Sequence, residues 1–578
     1  MQKRLLVPAL AVGLAALAVP VPALAQEGPA LDLSVLGTYS TGAFAAGGSE
    51  IVTYDPSTKR VFAVNAEAGV VDVIDVSDPA NPVKHAELDA AAALGQDGAT
   101  VNSVAVSGGT VAVAVEAPVK TDPGWVAFFD ADGAFKDAAQ VGAQPDSIAF
   151  TPDGSKAVTA DEGEPDDDYA VDPAGTVSIV DAATYDVATA DFTAWDEASL
   201  PEGFRVFGPD LTGDDAVQRA IEPEYVTVAD DATAYVTLQE NNAIAVVDLA
   251  AGEVAELLPL GFKDHAAEGN GLDASDKDDE VDITAWPVQG MYLPDGIDSF
   301  ATGGETYLVT ANEGDVREWG DYSEEARVKD LELCDGAFDG ADLDALQADE
   351  ALGRLKVTST LGRTEDGCYD GLYSFGGRSF SIWSADGELV FDSGAEFEAV
   401  VAEAESANFN ADNEANDFDD RSDDKGPEPE AVAVGQVGDA VYAFIGLERQ
   451  GGVMVYDVTD PVNAVFVDYV SNRDFTAEPA AGAGGDSGPE SIAFVAAADS
   501  PTGRPMLAVG NEVSGTTTLW DITGDGVPGG GDPSEHPTGD GAGALPRTGT
   551  GATGLLLGLA AALAVGGGVL VAMRRRAA

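Results

Sequence analysis

The stretch that decides the fold runs from Asp146 to Asp181: DSIAFTPDGSKAVTADEGEPDDDYAVDPAGTVSIVD. It opens on an acidic residue and a short apolar strand, Asp146-Ser147-Ile148-Ala149-Phe150. A polar turn, Pro152-Asp153-Gly154, leads to a second apolar run that stops at Glu162. After a Gly-containing loop, a third run at residues 177–181 ends on Asp181. Short β-branched runs bounded by Gly, Pro and Asp read as strands, so the unit predicts three or four antiparallel strands.

The same unit recurs along the chain. Its openings are Glu50, Asn102, Asp146, Glu224, Asp295, Glu430 and Glu490, and its second strands stop at Glu67, Glu116, Glu162, Glu240, Glu313, Glu448 and Glu512. Third strands fall at residues 70–76, 126–130, 177–181, 244–248, 379–383, 453–457 and 517–521. Units that cannot bury both faces alone must stack, which predicts an all-β, seven-bladed β-propeller over residues 31–523. A β-solenoid requires shorter, more uniform periods, and a sandwich does not repeat. The seventh unit lacks a fourth strand, and residues 31–36 alternate like one. They are expected to pair with the third strand of the last blade and close the ring.

In such a ring the first strand starts, and the second ends, on one face near the central channel. Both acidic columns are therefore expected to converge on a carboxylate-lined mouth that binds cations. The structural alternative is that each Glu caps backbone amides of a neighbouring unit or pairs with an Arg. Basic residues are scarce beside the columns in sequence, with Arg317, Arg378, Arg421, Lys425 and Arg449 the exceptions.

Composition narrows the function classes. The 578 residues carry 28 Lys and Arg against 102 Asp and Glu, a net charge of −74. A surface this negative repels phosphate and excludes nucleic-acid binding through counterion release. The hydrophobic fraction of 45% fills a core, which excludes a wholly disordered chain. Only three histidines are present, His85, His265 and His536, too few for a multi-His zinc site. An acidic, oxygen-rich chain suits hard cations, calcium above all.

The ends read as export and anchoring signals. In residues 1–25, Lys3 and Arg4 precede an apolar run and the small-residue site Ala23-Leu24-Ala25, the pattern of a secretory signal peptide. At the other end, Leu545-Pro546-Arg547-Thr548-Gly549 stands before an apolar segment at residues 554–573 and Arg574, Arg575 and Arg576. Residues 545–578 thus resemble the LPxTG sorting signal of Gram-positive surface proteins. That resemblance implies a transmembrane segment and a sortase that joins Thr548 to cell-wall peptidoglycan. Residues 524–544, GDGVPGGGDPSEHPTGDGAGA, read as a flexible spacer. Two cysteines in an oxidising compartment, Cys334 and Cys368, are expected to form a disulfide.

Three insertions interrupt the repeat, at residues 261–288, 317–376 and 407–430, and are expected to be functional loops or linkers. In the first, Asp273, Asp276 and Asp278, with Asp279, approach calcium-loop spacing but lack the EF-hand Gly and distal Glu in register. The run Gly271-Leu272-Asp273-Ala274-Ser275-Asp276-Lys277-Asp278 resembles the mesenchyme-specific cell-surface glycoprotein family. So do Pro294-Asp295-Gly296-Ile297, Ala311-Asn312-Glu313-Gly314-Asp315 and Arg421-Ser422-Asp423-Asp424-Lys425-Gly426-Pro427-Glu428-Pro429-Glu430. Bacterial members of that family carry a choice-of-anchor I domain. The resemblance spans about residues 31–523 and implies a secreted or surface propeller. Eukaryotic members are associated with calcium-mineral deposition and some bacterial ones are labelled alkaline phosphatases. No catalytic residues come with the family.

The expected function is a wall-anchored, calcium-binding propeller that acts as a binding or adhesion module toward an unknown extracellular ligand. The alternative is a calcium-dependent phosphoesterase of the phytase kind, in which clustered ions hold phosphate and activate water. A serine hydrolase lacks both a G-x-S-x-G elbow and a choice of base beyond His85 and His265.

Overall fold

The computed structural model describes residues 31–527, apart from residues 167, 168, 210, 214, 339, 480, 481 and 525. The expected leader, nearly all of the spacer, the sorting motif Leu545 to Gly549 and the apolar segment 554–573 lie outside the described residues. Among those described, no helix is long and apolar enough to cross a membrane.

The fold is all-β, and its main elements are seven four-stranded antiparallel sheets. In chain order their first strands are Val52–Asp55, Thr100–Ser107, Pro145–Phe150, Val226–Val228, Ile297–Thr302, Pro429–Val437 and Pro489–Val495. In the first six sheets the strands pair in chain order, as in the third with Lys156–Asp161, Thr176–Asp181 and Val187–Asp191, and in the fifth the second insertion falls between Glu305–Ala311 and Phe380–Ser384. The seventh holds Pro489–Val495, Met506–Asn511 and Thr516–Gly524, and takes its outer strand from the start of the domain, Leu31–Ser40. That strand pairs antiparallel from Leu31 opposite Gly524 to Ser40 opposite Thr516. The closing strand read at residues 31–36 is thus present and four residues longer.

Each first strand touches the first strand of the sheet before and after it, and Pro489–Val495 returns to Val52–Asp55, so the order is cyclic. A cavity of about 480 Å³ is lined by residues of all seven first strands, among them Val52, Ser103, Ile148, Thr227, Asp298, Val432 and Ile492. The apolar core is divided in the same way. Separate clusters lie between consecutive sheets, such as Phe62, Val73, Val111 and Val113 between the first and second. Val61, Ile74, Met506 and Leu519 fill the interface between the first and seventh. Sheets buried on both faces need near-continuous apolar strands, which is why Val70–Asp75 reads VVDVID and Thr110–Glu116 reads TVAVAVE.

The first two insertions are not simple loops. Phe262–Asp264, Gln289–Met291, Tyr373–Ser374, Lys356–Thr358 and Glu325–Arg327 form a five-stranded sheet of their own. It covers a core of Leu272, Val288, Val328, Leu352, Leu355 and Val357, with Phe338 and Tyr369. The disulfide Cys334–Cys368 forms as expected, with the Cα atoms 5.1 Å apart. Apolar residues scattered through otherwise polar sequence hid this core, because none of its strands exceeds three residues.

Candidate functional site

All seven unit openings line one cavity of about 570 Å³: Glu50, Asn102, Asp146, Glu224, Asp295, Glu430 and Glu490. Each stands at or just before its first strand, where the cyclic arrangement brings the strand starts together. The second column divides. Glu313, Glu448 and Glu512 line the same cavity, Glu162 and Glu240 are buried in a cluster with Glu224, and Glu116 is half-buried. Glu67 is exposed and lies outside the cavity lining, contrary to expectation. Distance from the strand end does not decide this, because Glu313 follows its strand by the same two residues as Glu67. Glu116 is the last residue of its strand, Glu162, Glu448 and Glu512 follow the strand by one residue, and Glu67, Glu240 and Glu313 by two. Past the last ladder bond, each turn aims its own Glu.

Burial is the main force on these carboxyls, and mutual repulsion adds to it. Burial, then Glu512 and Asp146, push Glu50 up to about 8. Burial, then Glu164 and Glu116, push Asp146 up to about 7. Glu224, Asp295, Glu430 and Glu490 are held well above the usual carboxylate range by the same two causes. The Oε2 atoms of Glu430 and Glu240 have no hydrogen-bond partner.

The mouth is not uniformly acidic, and the scarcity of basic residues seen in sequence does not hold in space. The third insertion delivers Lys425, whose Nζ lies 2.5 Å from Glu313 and 3.2 Å from Glu428. Arg449 reaches Glu428 at 3.1 Å and Glu448 at 3.2 Å, and Arg421 also pairs with Glu428. Burial raises Glu428, but Lys425, Arg421 and Arg449 outweigh it and bring it down to about 2. The sequence reading missed Glu428 and Asp315 as site residues, although both stand in the runs Arg421 to Glu430 and Ala311 to Asp315 that carried the family resemblance.

The Asp-rich loop of the first insertion differs from a calcium loop. Asp276 is ion-paired with Arg354, at 3.1 Å for Oδ2, which lowers it below the usual range against its burial. Asp273 is buried and accepts the amides of Asp282 at 2.7 Å and Ser275 at 3.3 Å. Asp278 accepts the amide of Glu280 at 3.0 Å. Asp273, Asp276 and Asp278 thus each make contacts within the protein. Among the described residues, two groups of three acidic side chains bring oxygens within 4.8 Å of one another: Glu162, Glu224 and Glu240, and Glu313, Glu428 and Glu448.

Residues 50–461 match the choice-of-anchor I domain. The chain belongs to the choice-of-anchor I family. Membership places it among surface-associated proteins. This chain is 33% identical over 192 residues to Gigasin-3a of Magallana gigas, covering 31% of this chain and 68% of that protein. It is 28% identical over 288 residues to the mesenchyme-specific cell surface glycoprotein of Strongylocentrotus purpuratus, covering 43% of this chain and 36% of that one. Among solved structures, a streptogramin B lyase aligns at 11% identity and a TM-score of 0.42, over 86% of this chain and 98% of the lyase. The RRP9 WD40 repeats align at 9% and 0.43, over 86% and 99%.

Proposed function

We propose that this chain is a seven-bladed β-propeller, anchored to the cell wall, whose acidic mouth binds calcium and presents a surface for binding or adhesion. The observation that carries the reading is the convergence of six acidic unit openings, with Asn102, on one cavity of about 570 Å³. Carboxylates so placed either hold protons or attract cations, and at neutral pH an extracellular oxygen-rich site suits calcium. Cyclic contact of seven first strands and an apolar cluster between neighbouring sheets support the blade count. The name of the sea-urchin relative, a cell surface glycoprotein, agrees with a place on the surface.

A phosphoesterase is the less favoured reading. A phosphate site needs free cationic donors beside its metal. The cations at this mouth, Lys425 and Arg449, are committed to Glu313, Glu428 and Glu448. The test is metal content of the purified chain, with phosphatase activity assayed before and after chelation. Calcium without activity supports a binding module, and chelator-sensitive hydrolysis overturns it. Millimolar calcium is also expected to raise Tm more than magnesium does, since magnesium resists the dehydration that carboxylate ligation demands.

For the anchor, sortase is proposed to join Thr548 to peptidoglycan. Changing Leu545 and Pro546 together to Ala is expected to move the protein from the wall fraction to membrane or medium. Retention in the wall fraction after that change would refute sorting.

A further inference from the structure

The two carboxylate triads differ in counter-charge. Glu313, Glu428 and Glu448 share Lys425, Arg421 and Arg449. Among the described residues, no ion pair reaches Glu162, Glu224 or Glu240. Three cations close by in the fold are ion-paired elsewhere: Arg317 with Glu222, Arg205 with Glu324 at 2.6 Å, and Lys120 with Glu164 at 3.1 Å. Arg205 does reach Glu240, but at the main-chain carbonyl, 2.8 Å away. Glu162 receives one neutral donor, Gln144 Nε2 at 2.5 Å. Glu240 is 6% exposed, and its Oε2 is buried with no hydrogen-bond partner. An unpartnered buried carboxylate oxygen is costly, and such atoms call for an explanation by a ligand or ion.

We propose that Glu162, Glu224 and Glu240 form a specific calcium site that clips the third sheet to the fourth. The proposal rests on the calcium reading of the mouth and narrows it to three ligands. Glu162 follows Lys156–Asp161 in the third sheet, whereas Glu224 precedes Val226–Val228 and Glu240 follows Thr233–Leu238 in the fourth. An ion there bridges two sheets that otherwise meet through apolar packing and a few hydrogen bonds, such as the Val226 amide to Ser147 Oγ at 3.2 Å. Oxygens within 4.8 Å of one another are close enough to share one ion. Calcium, which accepts a crowded set of carboxylate oxygens at about 2.3–2.6 Å, suits such a site better than magnesium, which gives up its waters reluctantly. Burial holds all three carboxyls well above the usual range; Glu224 adds to the rise of Glu162, Asp146 and Glu240 to that of Glu224, and Glu222 to that of Glu240, which Arg317 partly offsets.

The test is calorimetric titration of the chelator-treated full chain with calcium chloride, alongside Glu240→Gln, Glu224→Gln and, as a control, Glu67→Gln. Glu224 lines the open cavity, so its variant serves if the more buried Glu240→Gln fails to fold. Both site variants are expected to weaken calcium binding about tenfold or more. Metal-free Tm is expected to rise in Glu240→Gln, because a repelled buried charge is removed. Glu67→Gln, at an exposed residue outside the cavity lining, is expected to keep both calcium affinity and metal-free Tm. Unchanged affinity in both site variants overturns the site and leaves the calcium-binding mouth standing elsewhere. Failure of the wild-type chain to take up calcium overturns both.

Discussion

Stripped of divalent cations, the chain is expected to melt at a lower temperature at pH 8 than at pH 5, and calcium is expected to remove most of that difference. An unfolded carboxyl titrates near pH 4, whereas burial and like charges raise Glu50 to about 8 and Asp146 to about 7. Between those values the unfolded chain has released protons that the folded chain retains, so stability falls as pH rises through the window from about 4 to about 8. Each pH unit of separation is worth about 1.4 kcal/mol, so two such groups alone contribute several kcal/mol. For a domain this large, that corresponds to a fall of about 5 °C or more in Tm. Glu428 acts in the opposite sense. Its carboxyl is brought down to about 2, so its contribution is present above pH 4 and is lost as pH falls toward 2. The metal-free chain should therefore be most stable in mild acid. Scanning calorimetry in chelator across pH 3–9, repeated with calcium, reads both limbs. A Tm that rises steadily from pH 5 to pH 8 in chelator would show that the mouth carboxyls are already neutralised by protein groups.

Removing the closing strand Leu31–Ser40 is expected to have an effect of comparable or greater size. Leu31 and Leu33 are buried against Phe444, Ile492, Leu507 and Ile522 in the cluster between the sixth and seventh sheets. Each buried Leu contributes about 2–3 kcal/mol, and the deletion also strips the ladder from Thr516–Gly524. That strand would become an open sheet edge carrying Trp520 and Ile522, an aggregation template as well as a loss of closure. A chain starting at Gly47 should melt many degrees lower and associate at high concentration. Equal melting of the two forms would mean that the ring closes without this strand.

The repeat was legible because each unit is local: an acidic opening, two apolar runs and a polar turn within about 35 residues. The openings were legible as a set for the same reason, since a residue at the start of a first strand has one place to go once the sheets close into a ring. The second column was only partly legible. Glu313 and Glu67 both follow their strands by two residues, yet Glu313 lines the cavity and Glu67 faces solvent, and the sequence carries no periodic signal for that choice. The loop of Asp273, Asp276 and Asp278 shows the same dependence on distant chain. Its spacing suggested ligands, whereas Arg354, distant in sequence, occupies Asp276.

By itself the sequence determined the all-β repeat, its closure by residues from the start of the domain, the cysteine pair and the seven openings at one face. These follow from the strand period, the turn residues and the parity of cysteines, all of which act over short stretches of chain or by count. Only the tertiary structure decided which carboxylates are neutralised. Lys425 meets Glu313 across 112 residues, and the same insertion supplies Glu428 and Arg421 to one side of the mouth. Glu162, Glu224 and Glu240 receive no such cation among the described residues. Counter-charge is a matter of distance in space, and the Coulomb energy that sets these protonation states depends on where long loops fold back, which no local pattern encodes.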